Sequence, residues 1–154
     1  MKRYLFIILF LSIGFFTTFA QERDFYIEIT PSKNVLAKEE IFTVVASIMN
    51  VTMKEQRLCS WSCSYSENWQ LEDSSGKVHM YATDCDKNIV SCITLRPLER
   101  LEKELYLQVD SAAKKGNASF RLDFIPCISR EECFETAKEN QQFFRSQQVT
   151  IRIK

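Results

Sequence analysis

Phe42-Thr43-Val44-Val45-Ala46-Ser47-Ile48-Met49 puts Phe42, Val44, Ala46 and Ile48 on one face and Thr43, Val45, Ser47 and Met49 on the other. Successive side chains of an extended chain point to opposite sides, so this period of two predicts a strand with one buried face. The pattern recurs on either side. Before it, Phe25, Ile27 and Ile29 alternate with Tyr26, Glu28 and Thr30 until Pro31-Ser32 breaks the run; after it, Asn50-Val51-Thr52 and a polar stretch to residue 64 read as a loop. Trp69 and Leu71 then share a face, Asp73-Ser74-Ser75-Gly76 supplies turn chemistry, and Val78, Met80 and Ala82 return, which predicts a hairpin.

Further along, residues 89 to 96 form a strand ended by Arg96-Pro97-Leu98-Glu99, and Leu101, Leu105, Leu107 and Val109 alternate with Glu102, Glu104, Tyr106 and Gln108. Lys114-Lys115-Gly116-Asn117 makes a polar loop; Phe120, Leu122 and Phe124 oppose Ser119, Arg121 and Asp123, and Val149, Ile151 and Ile153 oppose Thr150, Arg152 and Lys154. Eight short strands separated by turns predict an all-β fold, an antiparallel two-sheet sandwich, rather than alternating strand-helix units. One segment breaks the period. Ser129-x-x-Glu132 matches a capping box, and Cys133, Phe134, Ala137 and Phe144 have roughly helical spacing, which predicts a short helical insertion over 129–144 before the last strand. Asn140 and Gln141 interrupt its apolar stripe, so an irregular loop is the alternative.

The first twenty residues have a different character. Lys2 and Arg3 precede an uncharged apolar run from Tyr4 to Phe16, and Thr18-Phe19-Ala20 leads abruptly into Gln21-Glu22-Arg23-Asp24. This is the pattern of a secretory signal peptide cleaved after Ala20. The run is too short to span a hydrocarbon layer of about 30 Å as a helix, and no cysteine stands at the cleavage point to carry a lipid. An uncleaved anchor is the competing reading. The expected product is one domain, residues 21–154, in the periplasm or the medium, with no stable membrane insertion.

Lys2 and Arg3 leave with the leader, so a chain of formal charge 0 becomes one of −2. There is no basic tract to neutralise phosphates, which argues against a nucleic-acid partner. Six cysteines, Cys59, Cys63, Cys85, Cys92, Cys127 and Cys133, form an even set that in an exported chain predicts three disulfides. Zinc is the alternative, from Cys59-x3-Cys63 with Cys85-x6-Cys92, but these spacings suit a structural zinc site poorly. An up-and-down count of the strands puts the loops 50–64, 84–88 and 110–117 at one end and the loop 126–145 at the other. Cys127 and Cys133 then stand alone and pair. A hairpin centred on Ser74 and Ser75 sets Cys63 opposite Cys85, leaving Cys59 with Cys92, although Cys92 falls on an outward face.

Candidates for chemistry are few. His79, the single histidine, falls on an outward face with Lys77 and Tyr81, where it reads as solvated rather than as part of a nucleophilic site. Asp84 and Asp86 flank Cys85, but the segment lacks the further acidic ligands and glycine of a calcium loop. With two glycines after the leader, Gly76 and Gly116, there is no phosphate-cradling loop, and no metal or cofactor is expected. Cys59-Ser60-Trp61-Ser62-Cys63-Ser64-Tyr65 is the most suggestive stretch: Trp61 and Tyr65 beside paired cysteines could dock a partner at low entropic cost. The competing role for Trp61 is a plug over the end of the sandwich. Asn50-Val51-Thr52 and Asn117-Ala118-Ser119 match the N-glycosylation sequon, read here as chance matches at the same predicted end.

Asn50-Val51-Thr52 at a strand end, Trp69-x-Leu71-x-Asp73-x-x-Gly76 at a turn and Ile93-x-Leu95-x-Pro97-x-Glu99 before a strand together resemble bacterial exported immunoglobulin-like domains. The arrangement also looks faintly like the proteinase-inhibitor domains of the BsuPI type, with Leu98 where such turns more often have glycine. The resemblance implies an immunoglobulin-like sandwich and transfers no functional residue. The leading expectation is a non-enzymatic extracytoplasmic module recognising a protein or peptide through loop ends or an open sheet edge. An inhibitor of a secreted hydrolase and a carbohydrate-active enzyme built on Glu67, Asp84 and Asp86 are the alternatives.

Overall fold

Inward-facing apolar residues at every second position draw the strands into layers, and the computed structural model shows which strands they choose. It describes residues 24–62, 68–81, 89–127, 130 and 143–154. Its elements there are all strands: β1 Phe25–Pro31, β2 Val35–Leu36, β3 Ile41–Asn50, β4 Gln56–Trp61, β5 Trp69–Glu72, β6 Val78–Met80, β7 Val90–Leu95, β8 Arg100–Val109, β9 Gly116–Phe124, β10 Phe144–Arg145 and β11 Val149–Ile153.

One sheet has the antiparallel order β1-β3-β8-β6. In the second, β9 is flanked by β5 on one edge and by β10 and β11 on the other, with β2 added in parallel to β11. β10 and β11 follow one path along β9, broken by a single extra residue, since Phe144 faces Phe124 while Val149 faces Phe120. Gln147 leaves that break to cap the edge of β1: its Oε1 accepts from Ile29 N at 3.2 Å and its Nε2 donates to Ile29 O at 2.9 Å. Two sheets in this order, with β2 crossing to the second, make an immunoglobulin-like β-sandwich. The parallel pairing of β2 with β11 is the departure from a wholly antiparallel arrangement.

The alternation read from the sequence is the alternation of the core. Phe25, Ile27 and Ile29 of β1, Phe42, Val44, Ala46 and Ile48 of β3, and Leu105, Leu107 and Val109 of β8 face Phe120, Leu122 and Phe124 of β9 and Ile151 and Ile153 of β11, all buried. Phe25 meets Phe144 edge-on at 5.2 Å and Trp69 lies tilted on Phe124 at 4.6 Å towards one end of the core, and Phe42 meets Phe120 at 6.1 Å further along it.

Three sequence expectations are corrected. Residues 69–82 are not a hairpin: β5 pairs with β9 and β6 with β8, so the turn between them crosses from one sheet to the other. The turn chemistry holds, because Asp73 accepts from the backbone N–H groups of Ser75, Lys77 and Val78 at 2.7–2.8 Å and Gly76 has φ 62°. Such a turn reverses the chain without choosing its partner. Second, residues 56–61 belong to a strand, paired with β7 in a separate two-stranded ribbon, rather than to a loop.

Third, the loops are distributed differently between the two ends. Asn50, at the end of β3, lies beside Phe25 and Glu99, whereas residues 110–115 follow Val109 at the opposite end. The ribbon strand β7 does not traverse the sandwich, so the strands after it run opposite to an up-and-down order. The predicted helix over 129–144 falls outside the described residues apart from Arg130 and its last two positions, and Phe144 there is in a strand. Among the described residues no helix is long and apolar enough to cross a membrane.

Candidate interaction face at the ribbon end

The ribbon is fastened to the sandwich by two buried amides. Asn50 is 0% exposed. Its Nδ2 donates to Leu95 O of β7 at 2.9 Å and to Lys54 O at 2.7 Å, and its Oδ1 accepts from Thr52 N at 2.9 Å and Thr52 Oγ1 at 2.8 Å. The backbone at Asn50 joins the same knot: Asn50 N donates to Glu99 O, and Leu98 N donates to Asn50 O. One asparagine therefore holds the loop 51–55, the turn 96–99 and the last residue of β7. Read from sequence, Asn50-Val51-Thr52 is a sequon; in the fold the amide nitrogen that glycosylation would modify is enclosed and doubly committed. Asn117 is exposed, at the opposite end.

Asn68 plays the corresponding part beside β4. It is buried, accepts from Trp61 N at 2.8 Å through Oδ1, and donates through Nδ2 to Ile125 O at 2.8 Å and to Cys127 Sγ at 3.6 Å. Cys59 N donates to Cys127 O at 2.9 Å, so the chain leaving β9 runs against β4.

Cys59 and Cys92 are register partners across the ribbon and are joined by a disulfide. This is the remaining pair expected from the sequence, and two of the four thiolates of the zinc alternative are thereby spent. Cys127 is also disulfide-bonded. It does not stand alone at the far end as expected: it packs with Cys59 and Val90 in a small cluster that Trp61 and Cys92 cover. Cys63, Cys85 and Cys133 lie outside the described residues, and with them the expected Cys63–Cys85 and Cys127–Cys133 pairs; the hairpin that would set Cys63 opposite Cys85 is not formed. A disulfide in the ribbon is chemistry of an oxidising compartment.

Trp61 is the last residue of β4, half-buried against the cysteine cluster rather than displayed on a loop. Beside it, Ile89 is 61% exposed and is fixed by two hydrogen bonds to Ser62. Lys103 of β8 donates to Ser62 O at 2.7 Å, and burial lowers its pKa. Tyr65 lies outside the described residues, as do Glu67, Asp84 and Asp86. His79 is exposed with Nε2 3.1 Å from Gln108 Oε1, as the solvated reading required. Among the described residues no three His, Cys, Asp or Glu side chains form a metal-holding group.

The feature that sequence reasoning passed over lies on the two turns tied by Asn50. Met53 is 91% exposed and Leu98 70% exposed. Leu98 has φ 63°, in the left-handed region where a side chain is disfavoured. The observation that Leu98 replaces a more usual glycine was the available signal.

No family model matches the chain, and no curated protein matches it. Among solved structures, a stretch of native alpha-2-macroglobulin from Escherichia coli, from domain MG7 to the C-terminus, is 14% identical with a TM-score of 0.49; the match covers 84% of this chain and 16% of that one. The FixG-related protein from Vibrio parahaemolyticus is 14% identical with a TM-score of 0.45, over 86% of this chain and 98% of that one. The CARDB domain of the PF1109 protein from Pyrococcus furiosus is 14% identical with a TM-score of 0.41, over 84% of this chain and 92% of that one.

Proposed function

We propose that this chain is an exported, non-enzymatic binding module that docks a protein or peptide partner through the ribbon end of its sandwich. The observation that carries the reading is the pair Met53 and Leu98. Holding a leucine at φ 63° costs about 1 kcal/mol relative to glycine, and at 70% exposure Leu98 recovers little of this by burial. Met53 likewise leaves a flexible apolar side chain in water. The turns beneath both are pinned by the buried Asn50, so a partner meets side chains whose backbone is already ordered. Lys54, Glu55, Arg96 and Glu99, all exposed around them, balance in charge, which suits the mixed rim of a protein surface better than an anionic membrane. Trp61 and Ile89, at the other end of the ribbon, form the second contact in this proposal.

Export completes it: a leader of residues 1–20, cleaved after Ala20, delivers residues 21–154 as one domain to the periplasm or medium, in keeping with the Cys59–Cys92 disulfide. The test places a photo-crosslinking residue at position 53, at position 98, or at the exposed ribbon position Thr94, in protein exported by its native host. Adducts with the same single protein from positions 53 and 98, lost on Leu98→Asp or Met53→Asp respectively, are expected. Equal labelling from position 94, or adducts indifferent to the aspartates, would remove the basis for the proposal. Mass spectrometry of the exported chain should find Gln21 as its first residue.

A further inference from the structure

The outward face of the second sheet treats its cations in two ways. Near the ribbon end, Arg121 makes two hydrogen bonds to Glu72 at 2.6 and 2.7 Å, and Arg145 makes two to Asp123 at 2.9 and 3.0 Å. Both of these arginines have a carboxylate. At the opposite end, Lys115, Arg152 and Lys154 line a cavity of about 500 Å³ together with Val35, Gly116 and Ile153, and no acidic side chain lines it. None of the three cations forms an ion pair with a described residue. Glu40, the acid that senses Lys154, is already held by Lys33 Nζ and Ala37 N, each at 2.7 Å.

The strands build this basin. Asn117, Arg152 and Val35 form one row across β9, β11 and β2, and Gly116, Ile153 and Leu36 form the next. The floor thus spans three strands, roughly 10 Å from two interstrand spacings. Gly116 lacks a side chain, and a Cβ placed there would meet nothing within 4 Å, so the basin is open above the floor. Lys154 follows β11 directly and its N–H still bonds to Leu36 O, so the chain stays extended and Arg152 and Lys154, two residues apart, fall on the same side.

We propose that this basin binds a small anion bearing two or more phosphate or sulfate groups. Three cations line one open basin, and their summed attraction favours a multivalent oxyanion over a monovalent one. The arginine fork matches a tetrahedral oxyanion in bidentate fashion, and the lysines act as point charges on a neighbouring group. The volume lies within the range of small-ligand sites. The site is separate from the ribbon end and independent of the function proposed there.

Inorganic pyrophosphate at low ionic strength is the probe, followed by amide NMR and calorimetry on the folded chain. The expected result is saturable shifts confined to residues 35–36, 115–117 and 152–154. Lys115→Ala with Arg152→Ala should weaken binding at least tenfold without moving the thermal midpoint, because both side chains are exposed; Lys54→Ala, at the ribbon end, should not weaken it. Vesicles containing cardiolipin, whose headgroup carries two phosphates, distinguish the source. Retention on them that pyrophosphate competes away assigns a lipid-borne phosphate, whereas pyrophosphate binding without retention assigns a free one. Shifts spread over exposed lysines everywhere, or equal losses from Lys54→Ala, would overturn the site.

Discussion

Substituting Asn50 tests the knot on which the ribbon end depends. The change Asn50→Asp keeps size and shape and keeps the oxygen that accepts from Thr52 N and Oγ1, but replaces the amide donor with an oxygen facing Leu95 O and Lys54 O at 2.9 and 2.7 Å. Two hydrogen bonds become two contacts between acceptors. A buried acceptor left unpaired costs about 1–3 kcal/mol, and a carboxylate held there adds the cost of a desolvated charge, so the deficit at pH 7 is about 4 kcal/mol. Asn50→Ala loses the same donors without introducing the charge, for about 3 kcal/mol with its small cavity.

The two variants separate by pH. The introduced carboxyl has its folded-state pKa raised, by burial and by the carbonyls, above an unfolded value of about 3.9. Below that value it is protonated in both states and can donate to one carbonyl, so the charge penalty is absent. As pH rises from there towards the folded pKa, the deficit of Asn50→Asp relative to Asn50→Ala grows by about 1.4 kcal/mol per unit, then levels off. Urea unfolding at pH 4 and pH 7 reads this as a midpoint shift of about 2 M at pH 7 for a slope near 2 kcal/mol/M. A deficit under about 1 kcal/mol at pH 7, or one equal at the two pH values, would show that Asn50 is not the donor to Leu95 O and that the ribbon is held in some other way.

Leu98→Gly should match or exceed the parent in thermal stability, while Leu98→Val should fall below it by about 1 kcal/mol or more, since β-branching makes φ 63° harder to hold; the reverse order would mean that this backbone is not left-handed in solution. Replacing both Cys59 and Cys92 with alanine opens a loop with a sequence separation of 33 and should cost about 3.5 kcal/mol by chain entropy, measured by urea unfolding of oxidised parent and variant. Glu72 should titrate below its ordinary value of 4.5, because Arg121 donates to its carboxylate. A lowered pKa contributes stability above the unfolded value and loses it as pH falls through the folded one, so Glu72→Gln should flatten the acid limb of the stability profile; carbon NMR of the carboxyl group checks the direction, and a midpoint above 4.5 would contradict the ion pair.

How much of this was legible follows from where each residue's neighbours come from. The period of two in β1, β3, β8, β9 and β11 is set by one buried face, which is a local property, and the sequence displays it. Partner choice is not local. Asp73 and Gly76 encode a reversal; β5 and β6 bury Trp69 and Val78 while pairing with β9 and β8, and the alternation alone does not distinguish this from their pairing with each other. β4 gave no alternation because Leu58 packs into the main core while its neighbour Cys59 packs into the cysteine cluster, so both faces of that strand are covered. β2 consists of two residues and was below any periodic signal.

The same distinction explains the candidate site. A tryptophan between cysteines attracts attention in a sequence because aromatic residues in small polar loops are uncommon, yet Trp61 proved to be a strand residue with its flank against Cys59 and Val90. Met53 drew none, being a methionine in a polar stretch, and Leu98 stood out only as a leucine where such turns more often have glycine. What makes them a pair is Asn50, which reaches Lys54 O four residues ahead and Leu95 O forty-five residues ahead. An asparagine that satisfies two distant carbonyls looks, in one dimension, like half of a sequon. Its buried amide ties two separate turns together, and that step from a hydrogen-bond donor to a shaped surface exists only once the ribbon has closed against the sandwich.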